Sequence, residues 1–87
     1  MEYIISFKNT NFAIKAEQCL LDQKLQVGVL PLPFQISAGC GICLRIKQTE
    51  IEMALKALAN KQINEIGLHY RKVESGKFLY ENINKES

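Results

Sequence analysis

The segment Gly39-Cys40-Gly41 is the part of this sequence best suited to chemistry. Glycine costs conformational entropy and brings no side chain to pack, so flanking glycines indicate a backbone that needs positive φ or a close approach. We therefore expect an exposed loop in which neighbouring N–H groups point at the sulfur of Cys40. Such hydrogen bonds, and nearby positive charge, favour the reactive thiolate over the thiol. A plain turn without chemical function is the alternative interpretation.

A second cysteine, Cys43, forms a Cys-x-x-Cys sequence with Cys40, so a disulfide or a shared soft metal is also conceivable. A tetrahedral metal site needs two more ligands than this motif supplies, and we predict no metal or other cofactor. We expect Cys43 to lie in a strand. The Cα atoms of a disulfide lie ~4.4–6.8 Å apart. Three extended steps of ~3.3 Å each would separate the Cα atoms of Cys40 and Cys43 by more than this, unless Gly41 makes a sharp turn. A small strand residue is the other interpretation of Cys43.

The remaining reactive side chains fit structural roles. Cys19 falls on the apolar face of a predicted helix, where a buried cysteine acts as a small hydrophobic residue. The single histidine, His69, alternates with apolar residues and is expected on an exposed sheet face. Arg45 shares a predicted strand face with Cys43, where it either approaches an anion at the loop or stays solvated.

Length and composition limit the classes of protein that these residues could serve. The chain has 87 residues, of which 47% are hydrophobic and 23% charged, which is typical of one globular domain. A net charge of +2 is too small for a nucleic-acid-binding surface. No run approaches the ~18 apolar residues of a membrane span, and the beginning of the chain does not resemble a signal peptide. The lack of an export signal, together with an odd number of cysteines, indicates a cytoplasmic protein whose thiols are reduced.

Hydrophobic periodicity predicts the order strand, helix, strand, strand, helix, strand. The expected strands cover residues 3–7, 27–30, 42–46 and 66–71, and the expected helices cover about residues 10–23 and 49–61. Thr10 or Asn11 is expected to cap the first helix, and Thr49 with Glu52 fits a capping box at the second.

This order favours an α+β fold of the ferredoxin-like, split βαβ type, a two-layer sandwich with a four-stranded antiparallel sheet and two helices on one face. In that topology Cys40 lies on the same rim of the sheet as Lys8, Asn9 and Thr10. The N-terminus of the first helix would also lie there. Its partial positive charge, roughly +0.5, stabilises an anion such as a thiolate or persulfide.

Two segments lie outside the regular elements. Residues 31–41 form a long loop that carries more apolar side chains than an idle linker. Residues 74–77 look like a turn, and the apolar residues 78–83 beyond it are expected to pack on the open sheet face or to serve a partner. We therefore divide the chain into a ferredoxin-like domain of residues 1–73 and an extension of residues 74–87. A homodimer would be another way to cover the open sheet face.

Several segments resemble the selenium/sulfur carrier protein-like family of small bacterial proteins. The matching residues are Tyr3-Ile4-Ile5-Ser6-Phe7-Lys8-Asn9-Thr10, Pro31-Leu32-Pro33, Ser37-Ala38-Gly39-Cys40-Gly41 and Leu44-Arg45. Their order and spacing match over about residues 2–72, and the glycine-flanked cysteine followed by Leu-Arg is the most specific element. The segment after Val73 looks like an extension.

The resemblance implies that Cys40 holds sulfur or selenium as a persulfide or selenide and passes it from donor to acceptor proteins. Ser37, Gly39, Gly41 and Arg45 would form its setting, whereas Cys43 is not part of the family motif. The sequence offers no obvious general acid or base, so a carrier is favoured over a catalyst. Two alternatives remain: a non-enzymatic binding or regulatory module, which needs neither cysteine, and a dithiol redox or metal-transfer protein, which needs both.

Overall fold

The computed structural model describes residues 2–63 and 65–83 of the chain. Met1 of the predicted 1–73 domain and residues 84–87 of the predicted extension lie outside the described residues. Within the described part the chain is α+β, with two α-helices and five strands in one antiparallel sheet. The strands are β1 (Glu2–Phe7), β2 (Val27–Pro31), β3 (Ile42–Lys47), β4 (Ile66–Glu74) and β5 (Lys77–Asn82), and the helices are α1 (Thr10–Asp22) and α2 (Ile51–Asn60).

The sheet has the order β2-β3-β1-β4-β5, and β1 pairs antiparallel with both of its neighbours. The prediction of four strands is wrong, because the chain turns back after β4 and adds β5 at the edge. Ser75 and Gly76 make this turn with φ values of 53° and 75°. Positive φ at both central residues is what a two-residue type I′ hairpin needs. The predicted boundary between residues 73 and 74 therefore falls inside β4 of a continuous sheet.

Both helices pack against one face of the sheet and share one hydrophobic core with it. Ile5, Phe7 and Leu44 come from the sheet, and Leu20 and Leu58 come from the helices. Alternate residues of a strand point to opposite faces, so the intervening residues of β1 and β3 lie on the other side. Neither described helix is long and apolar enough to cross a membrane.

The opposite face of the sheet is partly covered by the loop between β2 and β3. Leu32 and Ile36 from this loop pack with Ile4 of β1 and Cys43 of β3, and Tyr80 of β5 joins them. The sequence interpretation assigned this cover to the C-terminal tail, a second copy or another protein. The loop supplies part of this cover and Tyr80 of the tail another part, which explains why both segments carry apolar side chains.

The start of α1 differs from the prediction. Asn9 is the N-cap, and its Oδ1 accepts a hydrogen bond from the Phe12 N–H at 3.0 Å. Neither Thr10 nor Asn11 caps the helix, since both already lie within it. The Thr10 side chain is therefore available for other contacts.

The predicted capping box at α2 is also absent among the described contacts. Thr49 lies in a short 3₁₀ turn, Gln48–Glu50, through which the chain enters the helix, and no side chain caps α2. The Glu50 carboxylate accepts the backbone N–H of Gln26 at 3.1 Å, so it ties α2 to the segment before β2.

Candidate functional site

The loop of residues 32–41 is closed at its base and turned at its tip. The backbone N–H of Leu32 donates to the carbonyl oxygen of Gly41 at 2.9 Å, which joins the two ends of the loop. The N–H of Ile36 donates to the carbonyl of Pro33 at 3.0 Å and closes a turn at the tip. The loop thus covers one sheet face with Leu32 and Ile36 and then brings Cys40 to the other.

The two glycines beside Cys40 have different roles. A Cβ atom at Gly39 would lie 2.1 Å from the carbonyl oxygen of Lys8, so the loop backbone packs directly on the junction of β1 and α1. A Cβ atom at Gly41 would meet no atom within 4 Å. Neither glycine has a positive φ. The close approach expected of a glycine is therefore found at Gly39 and not at Gly41.

Cys40 is buried, and the expectation of an exposed thiol is wrong. Its relative exposure is 2%, and it belongs to the core between the helices and the sheet, with Phe7, Ala13 and Leu44. The reason lies in the neighbouring residue: because Gly39 has no side chain, the loop settles onto Lys8 and the cysteine turns inward.

The sulfur of Cys40 lies at the N-terminus of α1. The backbone N–H of Ile42 donates to Sγ at 3.4 Å, and the Cys40 thiol donates to the Oγ1 of Thr10, the first residue of α1, at 3.9 Å. The positive end of a helix dipole stabilises nearby negative charge. These contacts suit a sulfur that becomes an anion.

The other residues that the sequence places around Cys40 are not all brought to it. Ser37 is exposed in the loop. Arg45 lies on the opposite face of the sheet, where its Nε is 3.6 Å from the Glu2 carboxylate and its guanidinium covers Gly28. Glu2 also accepts a hydrogen bond from Arg71, which faces Tyr80 across the β4–β5 pair. Arg45 therefore belongs to an ion-pair network on the far side of the sheet.

Cys43 occupies a different environment from Cys40. It is fully buried on the face away from the helices, and its thiol donates to the carbonyl of Pro31 at 3.9 Å. Burial raises the pKa of this thiol to about 11, although the charge of Arg71 opposes the effect. Cys43 therefore stays a thiol at neutral pH.

Cys19 has the core position that its helical spacing predicts. It lies between α1 and α2 with 7% exposure, and its thiol donates to the carbonyl of Ala57 at 3.5 Å.

His69 is only partly exposed, contrary to the expectation of an exposed histidine. It lies in β4 between Ile4 and Asn82 of the neighbouring strands, and its Nδ1 is buried without a hydrogen-bond partner. Burial lowers the pKa of this imidazole, which favours the neutral form. Within residues 2–63 and 65–83, no three His, Cys, Asp or Glu side chains cluster as metal ligands would.

Phe34 is a feature of the site that the sequence interpretation missed. It lies at the tip of the loop with 95% relative exposure. The signal was present in the sequence, because residues 25–44 contain no charged side chain although 23% of the whole chain is charged. An uncharged segment with an exposed aromatic ring has the composition found at the centre of protein–protein interfaces.

No curated protein and no solved structure matches the chain significantly. A family model described as "Putative Se/S carrier protein-like" matches residues 2–70, which include the loop, Cys40, the first three strands and the first part of β4. The chain belongs to this family of Se/S carrier-like proteins.

Proposed function

We propose that Cys40 carries a sulfur or selenium atom between partner proteins. One observation carries the proposal: the sulfur of Cys40 accepts a backbone N–H, from Ile42 at 3.4 Å. The thiols of Cys19 and Cys43 donate to carbonyl oxygens, which can only accept. The Cys40 thiol donates to the hydroxyl of Thr10, which can turn and donate to the sulfur when the proton leaves. Family membership points in the same direction.

The proposed chemistry is sulfane transfer by thiol exchange. The Cys40 thiolate attacks the outer sulfur of a persulfide on the donor protein, the S–S bond of the donor breaks, and the donor leaves as a thiolate. The outer sulfur is now bonded to Sγ of Cys40, which has become a persulfide. The acceptor protein attacks its outer sulfur in the same way, so the cycle needs no net oxidant or reductant. A selenium atom bonded to sulfur can be exchanged by the same steps.

Burial of Cys40 adds a gating step to this mechanism. A thiol that is 2% exposed cannot meet a donor persulfide until the loop lifts from the junction of β1 and α1. When the loop closes again, the group on Cys40 is shielded from other thiols, near the Thr10 hydroxyl and the Ile42 N–H. The protein would therefore exchange its atom only when a partner holds the loop open.

The surface around Phe34 is the proposed contact for the donor and acceptor proteins. Aromatic side chains often contribute much of the binding energy in interfaces, and interface centres are poor in charge. Phe34 is six residues from Cys40 in an uncharged loop, so a partner that binds the ring also contacts the segment that must open. We infer that these partners have an apolar pocket for Phe34.

The framework of this site is proposed to be ferredoxin-like. The order β2-β3-β1-β4, with two helices on one face, supports a split βαβ unit to which β5 is added. We propose that this unit is the carrier domain, that β5 and the following residues are an extension, and that the protein works in the cytoplasm. The free thiols of all three cysteines are consistent with a reducing compartment.

The dithiol alternative receives less support from the geometry. Cys40 and Cys43 pack in different clusters on opposite faces of the sheet, and neither is in a disulfide. A regulatory binding module, which would need no cysteine, remains the competing function.

A loading experiment separates these functions. The chain is incubated with a cysteine desulfurase and cysteine, or with inorganic polysulfide, and its intact mass is measured before and after reduction. Wild type and Cys43→Ala should gain the mass of one or more sulfur atoms, lost on reduction, whereas Cys40→Ser should gain none. Circular dichroism verifies that each variant is folded. Loading on Cys19 or Cys43, or no loading of wild type by either donor, would refute the carrier function.

A further inference from the structure

The outer edge of β5 is unpaired in the described part of the chain. β5 lies at the end of the sheet and pairs on one side with β4. An edge strand presents a row of N–H and C=O groups that can pair with another chain. Phe78 and Leu79 of β5, and Ile83 beyond it, are 48%, 38% and 42% exposed. This edge is therefore both apolar and able to form hydrogen bonds.

The register of β5 shows which backbone groups face outward. The N–H of Ile83 donates to the carbonyl of Leu68 in β4 at 2.9 Å. Backbone groups of alternate residues in an antiparallel strand point to opposite sides. Residues 77, 79 and 81 therefore also bond toward β4, and the N–H and C=O groups of Phe78, Tyr80 and Asn82 point to the free edge.

We propose that two copies of the chain pair antiparallel through β5, with Leu79 at the two-fold axis. In this register Phe78 exchanges backbone hydrogen bonds with the partner's Tyr80, and Tyr80 does so with the partner's Phe78. Leu79 meets the partner's Leu79 as a non-hydrogen-bonded pair, in which side chains approach more closely. The two five-stranded sheets then form one sheet of ten strands.

Charge complementarity selects this register. Lys77 and Glu81 lie two residues on either side of Leu79, so the two-fold axis places Lys77 opposite the partner's Glu81 and Glu81 opposite the partner's Lys77. Opposite charges directly across an antiparallel pair are favourable, and like charges are unfavourable. The sequence Lys-Phe-Leu-Tyr-Glu is therefore complementary to itself in charge, in aromatic pairing and at its apolar centre.

The opposite edge of the sheet is less suited to such pairing. β2 ends in Pro31, which has no N–H to donate, and the Arg45 guanidinium lies over Gly28. Natural sheets protect their edges with proline, charged residues and irregular strands. β5 contains neither proline nor glycine, and its charges are arranged for a partner of the same sequence.

Charge reversal tests this dimer directly. Analytical ultracentrifugation compares wild type with Lys77→Glu, Glu81→Lys and an equimolar mixture of the two variants. Wild type should sediment at twice the 9.9 kDa of one chain. Each variant alone places like charges opposite each other and should be monomeric. The mixture restores both opposite-charge pairs and should dimerise again, which also controls for loss of the contact between Lys72 and Glu81 in the Glu81→Lys chain.

Amide exchange in wild type gives a second readout that needs no variant. Exchange at Phe78 and Tyr80 should slow as the protein concentration rises, whereas the amides of Leu79 and Glu81, bonded to β4, should be protected at every concentration. A monomeric wild type, dimers in all samples, or a mixture that stays monomeric would overturn the proposal. So would rapid exchange at Phe78 and Tyr80 in a sedimenting dimer.

Discussion

Gly39 and Lys8 approach so closely that a methyl group on the glycine would lie 2.1 Å from the lysine carbonyl oxygen. This contact is between backbones, so no flexible side chain can move aside to relieve it. It positions the loop on the junction of β1 and α1, and with it the sulfur of Cys40 beside Thr10.

The contact predicts opposite outcomes for alanine at the two loop glycines. Gly39→Ala forces the loop away from Lys8 and should destabilise the fold by about 1–3 kcal/mol, as overpacking does. Gly41→Ala is the matched control and should stay within about ±0.5 kcal/mol, because its methyl group meets no atom within 4 Å. Urea unfolding measures both values. Equal losses in the two variants would show that the loop does not rest on Lys8.

The reactivity of the three thiols should follow their position in the fold. We expect limiting alkylation of the native protein to modify Cys40 before Cys19 and Cys43, because a loop opens locally more easily than a sheet or a helix pair. Peptide mapping identifies the modified residue, and the denatured chain, in which all three are accessible, provides the control. Earlier modification of Cys43 would show that the far face of the sheet opens first.

Stability at alkaline pH should report on Cys43. Folding raises the pKa of this thiol from its ordinary value of 9.0 to about 11, so above pH 9 the unfolded chain loses a proton that the folded chain keeps. The stability that this thiol contributes is complete below pH 9 and is lost as the pH rises through about 11, by on the order of 2–3 kcal/mol.

Cys43→Val removes the titrating group and keeps an apolar side chain of similar size. Unfolding free energies of both proteins between pH 8 and pH 11 separate this loss from the titration of tyrosines and lysines, which the two share. Parallel curves for wild type and Cys43→Val would contradict the assignment.

Phe34 should affect the rate at which a protein donor loads Cys40, but not the rate at which a small inorganic donor loads it. Phe34→Ala removes an exposed ring and should leave the melting temperature unchanged, yet it should slow loading of Cys40 by a desulfurase about tenfold or more, typical of a lost interface anchor. Loading by inorganic polysulfide should be unaffected. Met53→Ala, which removes another exposed apolar side chain, on α2, is the control. Equal loading of all three proteins by the desulfurase would place the docking surface elsewhere.

The sequence predicts the regular elements better than it predicts the loop. α1, β3 and β4 follow from periodic spacing, whereas β1 follows from a short apolar run rich in β-branched residues and is buried on both faces. The similar apolar run of Phe78, Leu79 and Tyr80 follows a predicted turn, and its sequence does not distinguish an edge strand from an extension that packs on the sheet.

The burial of Cys40 could not be read from the sequence for a different reason. It depends on the contact between Gly39 and Lys8, which are distant in sequence, and no local pattern encodes that contact. The thiol of Cys43 is a further example: its strand position was expected, but its burial comes from Ile36 of the loop.

The hydrogen bond between the Leu32 N–H and the Gly41 carbonyl closes the base of the loop between β2 and β3. Its two ends are joined at the residue after β2 and the residue before β3. Residues inserted or deleted near its tip would therefore leave the register of β2 and β3 unchanged. The exposed tip with Phe34 can therefore differ in length or sequence while the end that holds Cys40 keeps its contacts with Lys8 and Thr10.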